Sequence, residues 1–284
     1  MKLINWLHRH EKVRLAALLS GPIAWLVVAY LGAISALLIT SFFTINTFTG
    51  DVVQKFNLGN FQELFTDPAY RNVALGTLFV ALAVTINCII LAVPMAFYIS
   101  KVSTPRAKKI LVALILTPLW ASYLVKIYSW RTMFEPGSGV INWLLGPIGI
   151  HSPGFGLVSI IVGLTYLWLP YMILPIYSGL DRLPNTLIEA SSDLGARNFV
   201  TFKKVILPLI FPSIIAGSMF TFSLSLGDYI TAQIIGGKIQ MLGNVVYQNF
   251  SLNLPFAATI SAVPIAIMGG YLWLIRKSGA LSSL

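Results

Sequence analysis

The sequence predicts an all-α integral membrane protein with six transmembrane helices. Three observations lead there. Of 284 residues, 57% are apolar and 10% are charged, against roughly 25% charged in an ordinary soluble domain. The apolar residues gather in long runs, each of about the 20 residues that one span needs. The basic residues gather in alternate connecting segments. A mean hydropathy of +0.82 leaves too few polar side chains to coat a water-facing surface.

The uncharged stretches are Leu15 to Gly50, Asn72 to Ser100, Pro136 to Leu180, Val205 to Gly227 and Ile239 to Ile275; Lys126 alone interrupts Ile110 to Trp130. Six helices fit, at about 21–43, 73–99, 110–130, 157–180, 205–233 and 257–275. Only helices or closed barrels saturate their backbone hydrogen bonds in lipid. These runs are continuously apolar and do not alternate, which favours helices. Before the first run stand Lys2, Arg9, Lys12 and Arg14, as in a signal peptide. The run is far longer than the roughly 7–15 residues of a signal core, so it reads as an uncleaved span. The small residues Ala33-Ile34-Ser35-Ala36 keep cleavage open as an alternative.

Counting Lys and Arg orients the chain. With the N-terminus inside, the cytoplasmic segments hold Lys2, Arg9, Lys12 and Arg14, then Lys101, Arg106, Lys108 and Lys109. They also hold Arg182, Arg197, Lys203 and Lys204, and finally Arg276 and Lys277. The outer segments hold only Lys55, Arg71, Arg131 and Lys238. Fourteen against four is a strong positive-inside bias, and both termini face the cytoplasm. The organisation is a cytoplasmic segment 1–20, a six-span domain 21–275 and a tail 276–284. The net charge of +10 is therefore sidedness and not a nucleic-acid footprint, since no basic stripe carries interleaved aromatics.

The outer loops fit. Asn46 to Tyr70 carries Asp51, Glu63 and Asp67. Val140 to Leu145 reads as a short interfacial helix between Glu135-Pro136-Gly137-Ser138-Gly139 and Gly146-Pro147. Trp6, Trp120, Tyr128, Trp130 and Trp143 sit near span ends, as in aromatic belts. Cys88 is the single cysteine, so neither a disulfide nor a cysteine metal site can form within the chain. Gly236-Gly237-Lys238 lacks the earlier glycine and the following Ser/Thr of a phosphate loop. His8, His10 and His151 read as solvated loop residues, and no catalytic constellation is present.

The segment from Asp181 to Lys204 is long for a connector between two spans, and 184–204 within it is its distinctive part. Thr186 and Glu189 have capping-box spacing, which predicts a short helix starting there. Leu187, Ala190, Ser191 and Leu194 share one face of it, and Gly195 suits a left-handed end. Asn198 or Thr201 can cap the helix that becomes the fifth span. Such a helix lies across the span ends and offers a small apolar face with acidic side chains.

Glu189-Ala190-Ser191, Gly195 and Leu207-Pro208 resemble the EAA motif of ABC importer permeases, E-A-A-x(3)-G-x(9)-I-x-L-P. Ser191 replaces the second alanine and Val205 the isoleucine, both small changes. Leu180 to Pro184, Ser192 to Ala196, Ser225 to Tyr229, Gly236-Gly237 and Met241 to Asn244 are similar to the spermidine/putrescine importer permeases. The resemblance implies a type I ABC importer permease fold in a bacterial inner membrane. It implies a second homologous permease subunit, two copies of an ABC ATPase and an extracytoplasmic solute-binding protein as partners. ATP and Mg would bind in the partner subunits, and this chain would hold no cofactor. Glu189, Ala190, Ser191, Asp193, Leu194, Gly195, Leu207 and Pro208 would couple it to the ATPase. The substrate class it implies is polyamines. An amino-acid-like cation and a ferric ion stay open, as does a stand-alone secondary transporter.

The translocation path has weaker marks. Pro94, Pro118, Pro170, Pro175, Pro208, Pro212 and Pro264 lie in the spans and invite kinks, which either tune helix shape or surround substrate. Lys126 and Asp228 are the ionisable groups within spans. Counted along straight helices at 1.5 Å per residue, they stand about 24 Å and about 34 Å from the cytoplasmic ends. Asp228 reads as a substrate contact, a salt-bridge partner of Lys126 or a solvated helix end. Tyr166, Trp168, Tyr171 and Tyr229 offer either cation–π faces or packing surfaces.

Overall fold

The computed structural model of the chain describes residues 11–46 and 48–277. Lys2, Trp6, His8, Arg9, His10 and the tail from 278 lie outside the described residues, as do the side chains of Lys12, Arg14 and Lys277. Five helices are long and apolar enough to span a membrane: Leu18–Thr40, Pro68–Val102, Leu157–Arg182, Asn198–Leu226 and Leu254–Arg276. A sixth span is a broken pair, Pro105–Trp120 and Tyr123–Phe134, bent by 95°. The fold is therefore the all-α, multi-span class that the composition predicts.

Helix starts follow local chemistry. Asp67 accepts from the Ala69 amide at 2.7 Å and Pro68 occupies the first turn of the second span. Thr104 accepts from the Ala107 amide at 3.3 Å, again ahead of a proline. Hydroxyls within the bundle donate to the carbonyl one turn back, as Thr85 to Ala81 at 2.7 Å and Thr165 to Ile161 at 2.7 Å. That satisfies polar atoms where no water reaches.

The second, fourth and fifth spans pack on one another and make the core. Ile160, Leu164, Leu167, Met172, Ile176 and Leu180 of the fourth span are buried at helical spacing. A Cβ placed on Gly217 would lie 3.1 Å from the Met172 Cα, so glycine permits this close crossing of the fourth and fifth spans. The first span stands apart. None of its apolar window is buried, and it is tied in at its C-terminal end, where Thr259 and Asn60 both donate to the Ser41 carbonyl at 3.1 Å.

Two helices expected to run straight are broken. Ala121 and Ser122 are both extended, with ψ of 140° each, which ends one helix and starts the next in a new direction. The fifth span ends at Leu226, and Ile230–Ile235 follows as a separate six-residue helix. The height counted along a straight helix for Lys126, which lies beyond the 95° bend, therefore does not hold. A further helix, Leu242–Phe250, not expected within the uncharged stretch ahead of the sixth span, packs beside that span. Its first amide, of Leu242, donates to the Thr77 hydroxyl at 2.9 Å. Thr44–Ile45 pairs antiparallel with Val52–Val53, a small ribbon after the first span that no periodicity announced. Val140–Leu145 forms the expected short helix. Trp120 is 91% exposed, while Trp130 is half-buried and stacks on Phe134 at 5.1 Å.

Candidate functional site

Two places gather the residues singled out by sequence. The first is the helix Asn185–Asp193 at one end of the bundle. Its N-cap is Pro184, with no side-chain cap, so Thr186 and Glu189 do not form the capping box. Pro184, with φ of −63° and ψ of 135°, already turns the chain into the helix. The end behaves as the glycine predicts. Gly195 has φ of +78°, its amide donates to Ser192 O at 2.8 Å, and the Ala196 amide donates to Ser191 O at 3.1 Å. This is the paired closure that a left-handed residue allows.

The faces of this helix divide cleanly. Ile188 packs on the core, and the Ser191 hydroxyl meets the Thr201 hydroxyl at 2.9 Å. Thr201 is thereby spent on packing and Asn198 is the first helical residue, so neither caps the fifth span; Arg197 holds the cap position without a side-chain bond. Leu187, Glu189, Ala190 and Asp193 are exposed, Leu194 is 88% exposed, and Phe199 just beyond is 73% exposed. Among the described residues neither Glu189 nor Asp193 has an ion-pair partner. Leu207 instead packs on the core, and Pro208 starts the straight part of the fifth span after the wide π-turn Phe202–Ile206.

Two lysines that sequence reading counted only for sidedness hold this segment. Lys101 Nζ, at the end of the second span, donates to Leu183 O at 2.6 Å and to Asn185 Oδ1 at 3.0 Å. Lys108 forms an ion pair with Asp181. The carbonyl of Leu183 is a helix-end acceptor that needs an outside donor, and a lysine near a helix C-terminus supplies one.

The second place is the meeting of the two helix breaks. Asp228 is 7% exposed and lies between Leu207–Leu226 and Ile230–Ile235. Its Oδ1 accepts from the Thr231 amide at 2.9 Å, starting the short helix. Its other oxygen accepts from the Tyr123 hydroxyl, which also meets Thr231 Oγ1 at 2.6 Å. Lys126, half-buried three residues beyond Tyr123, is not in an ion pair among the described residues. The Lys126–Asp228 salt bridge is thus replaced by a tyrosine–aspartate bond. Asn244 Nδ2 donates to Tyr229 O at 2.8 Å and ties the next helix to the same break.

The aromatic candidates sit around this point in two groups. Tyr123 lies 6.0 Å from Trp168, and Trp168 lies 5.8 Å from Tyr171. Tyr166 meets Trp130 edge-on at 5.4 Å. Tyr171 is 36% exposed, while the buried Trp168 Nε1 has no acceptor among the described residues. On the other side Tyr229 stacks on Tyr247 at 5.1 Å and lines an open cleft of about 320 Å³ with Val246 and Phe250. Sequence reading missed Tyr123, Thr231, Asn244 and Tyr247. Pro118 followed by Ser122 was the one local signal that the third span breaks beside Tyr123.

Residues 89–276 match the family described as binding-protein-dependent transport system inner membrane component. The inner membrane ABC transporter permease protein YdcU of Escherichia coli is 40% identical over 287 residues, covering 94% of this chain and 90% of that one. The spermidine/putrescine transport system permease protein PotB of Haemophilus influenzae is 33% identical, covering 99% and 97%. A bacterial ABC transporter that imports alginate superposes with a TM-score of 0.70 at 16% identity, over 98% of this chain and 99% of that one. The MetNI methionine ABC transporter gives 0.56 at 18% identity over 75% and 95%. At such identities the two structures speak for the fold.

Proposed function

The chain belongs to the family of binding-protein-dependent transport system inner membrane components, and on that premise we propose that it forms part of the translocation path of a polyamine importer. It is a multi-pass inner-membrane permease subunit of an ABC importer, and it is not itself an enzyme. The observation that carries the substrate class is its near full-length similarity to permeases named for spermidine and putrescine transport. A buried carboxylate among aromatic rings suits a cationic, partly aliphatic solute.

The proposed partners follow the family's architecture: a second homologous permease, two ATPase copies and an extracytoplasmic binding protein. ATP and Mg belong to the ATPase subunits. The helix Asn185–Asp193 is the proposed docking element, with Glu189, Ala190, Ser191, Asp193, Leu194 and Gly195 as the coupling residues and Leu207-Pro208 holding the helix that carries the motion inward. Exposed Leu194 and uncompensated Glu189 support that role. Both termini are placed in the cytoplasm by the distribution of Lys and Arg. The six-span domain, 21–275, and its coupling segment, 184–204, are the functional division we propose.

The test is uptake by the assembled complex in proteoliposomes, with spermidine, putrescine, a cationic amino acid and a ferric salt offered in turn. ATP-dependent, saturable uptake of the polyamines alone is the expected result. Uptake of only another solute overturns the polyamine reading and leaves the permease assignment standing.

A further inference from the structure

A groove of about 500 Å³ lies between the helix Pro105–Trp120 and the fourth span, at the bundle end that carries Asn185–Asp193. One wall is a single stripe of that helix: Pro105, Lys108, Lys109, Val112, Ala113 and Leu116. These positions step by three and four, so they share one face. The opposite wall carries Tyr177 of the fourth span, whose ring lies 5.5 Å from the Lys108 ammonium. The helix packs only lightly on the fourth span, which leaves the groove open along its length.

The groove is graded in chemistry. Its first turn carries Arg106, Lys108 and Lys109 and no acidic residue. Asp181 offsets Lys108, and among the described residues no carboxylate pairs with Arg106 or Lys109. Beyond that turn the wall is apolar. From Pro105 to Leu116 the helix rises about 16 Å at 1.5 Å per residue, close to one leaflet of a hydrocarbon core about 30 Å thick.

We propose that this groove binds one anionic phospholipid. Its phosphate lies at Lys108 and Lys109, and one acyl chain lies along Val112, Ala113 and Leu116. The gradient selects this occupant. A soluble anion gains nothing from the apolar length, and an extended peptide would leave its backbone groups unpaired there. A zwitterionic lipid lacks the net charge to match the basic turn.

The test is native mass spectrometry of the full-length chain in its complex, incubated in detergent with phosphatidylglycerol or phosphatidylcholine. Preferential retention of phosphatidylglycerol is expected. Lys109→Glu should lower it by about fivefold or more, given the attraction of a basic residue to an anionic headgroup, with phosphatidylcholine unchanged. Ala113→Trp should lower it too, by filling the groove without touching charge. Equal retention by wild type and both variants overturns the proposal, as does displacement of the lipid by inorganic phosphate alone. Efficient disulfide crosslinking of an Ala113→Cys variant to another subunit of the assembled complex also overturns it, by giving the groove to a protein partner. Unfolding temperature in detergent checks that each variant is folded.

Discussion

Tyr123 and Asp228 lie 105 residues apart, and the tyrosine hydroxyl donates to the aspartate carboxylate at the point where two broken helices meet. Asp228 also starts the short helix that follows its own break. The residue is thus structural and polar-lined at once, whatever passes beside it. Tyr123→Phe leaves a buried carboxylate short of a donor, at a cost of about 1–3 kcal/mol. Thermal unfolding in detergent should show the loss, and an unchanged transition would mean that the bond contributes nothing to stability.

Asp228→Asn keeps the amide-capping oxygen and removes the charge. Uptake at low polyamine concentration should fall while unfolding temperature changes little. Unaltered uptake at every concentration removes Asp228 from the substrate path and leaves it as a helix cap.

Glu189→Arg reverses the charge of an exposed side chain that has no ion-pair partner among the described residues. The chain should still fold, and ATPase co-purification or substrate-stimulated hydrolysis should drop. Normal assembly together with normal transport would sink the coupling role.

Gly195→Val forces a β-branched residue to φ of +78°, a strain of roughly 1–2 kcal/mol or more. The end of Asn185–Asp193 should fray, and limited proteolysis should cut faster between 190 and 200. Gly195→Asn, which tolerates that conformation, should restore most of the protection. Equal cleavage of all three proteins would count against the turn geometry.

Lys101→Met removes both hydrogen bonds that join the end of the second span to Leu183 and Asn185. Membrane insertion should persist, while ATPase stimulation by substrate falls, and Lys101→Arg should recover part of it. A variant indistinguishable from wild type would show that this clamp carries no coupling.

The legible parts of the fold are those set by local chemistry. The spans at Leu157–Arg182 and Leu254–Arg276 follow from apolar run length alone. Gly195 was readable because a left-handed turn selects glycine. The capping box was not, because Thr186–Glu189 spacing competes with Pro184, which starts the helix by itself. The breaks at Ala121–Ser122 and Gly227–Tyr229 escaped because hydropathy sums side chains and is blind to backbone direction.

By itself the sequence determined that the chain lives in a bilayer and where its long apolar runs fall. Those properties are sums and spacings along the chain, because lipid penalises every unsatisfied polar group wherever it falls. The tertiary structure decided the rest. It gave Asp228 a tyrosine in place of Lys126, stacked Trp130 on Phe134, and put Lys101 against Leu183. Each pairing depends on where a helix breaks and which neighbour it then meets, and no local pattern in the chain encodes that distance.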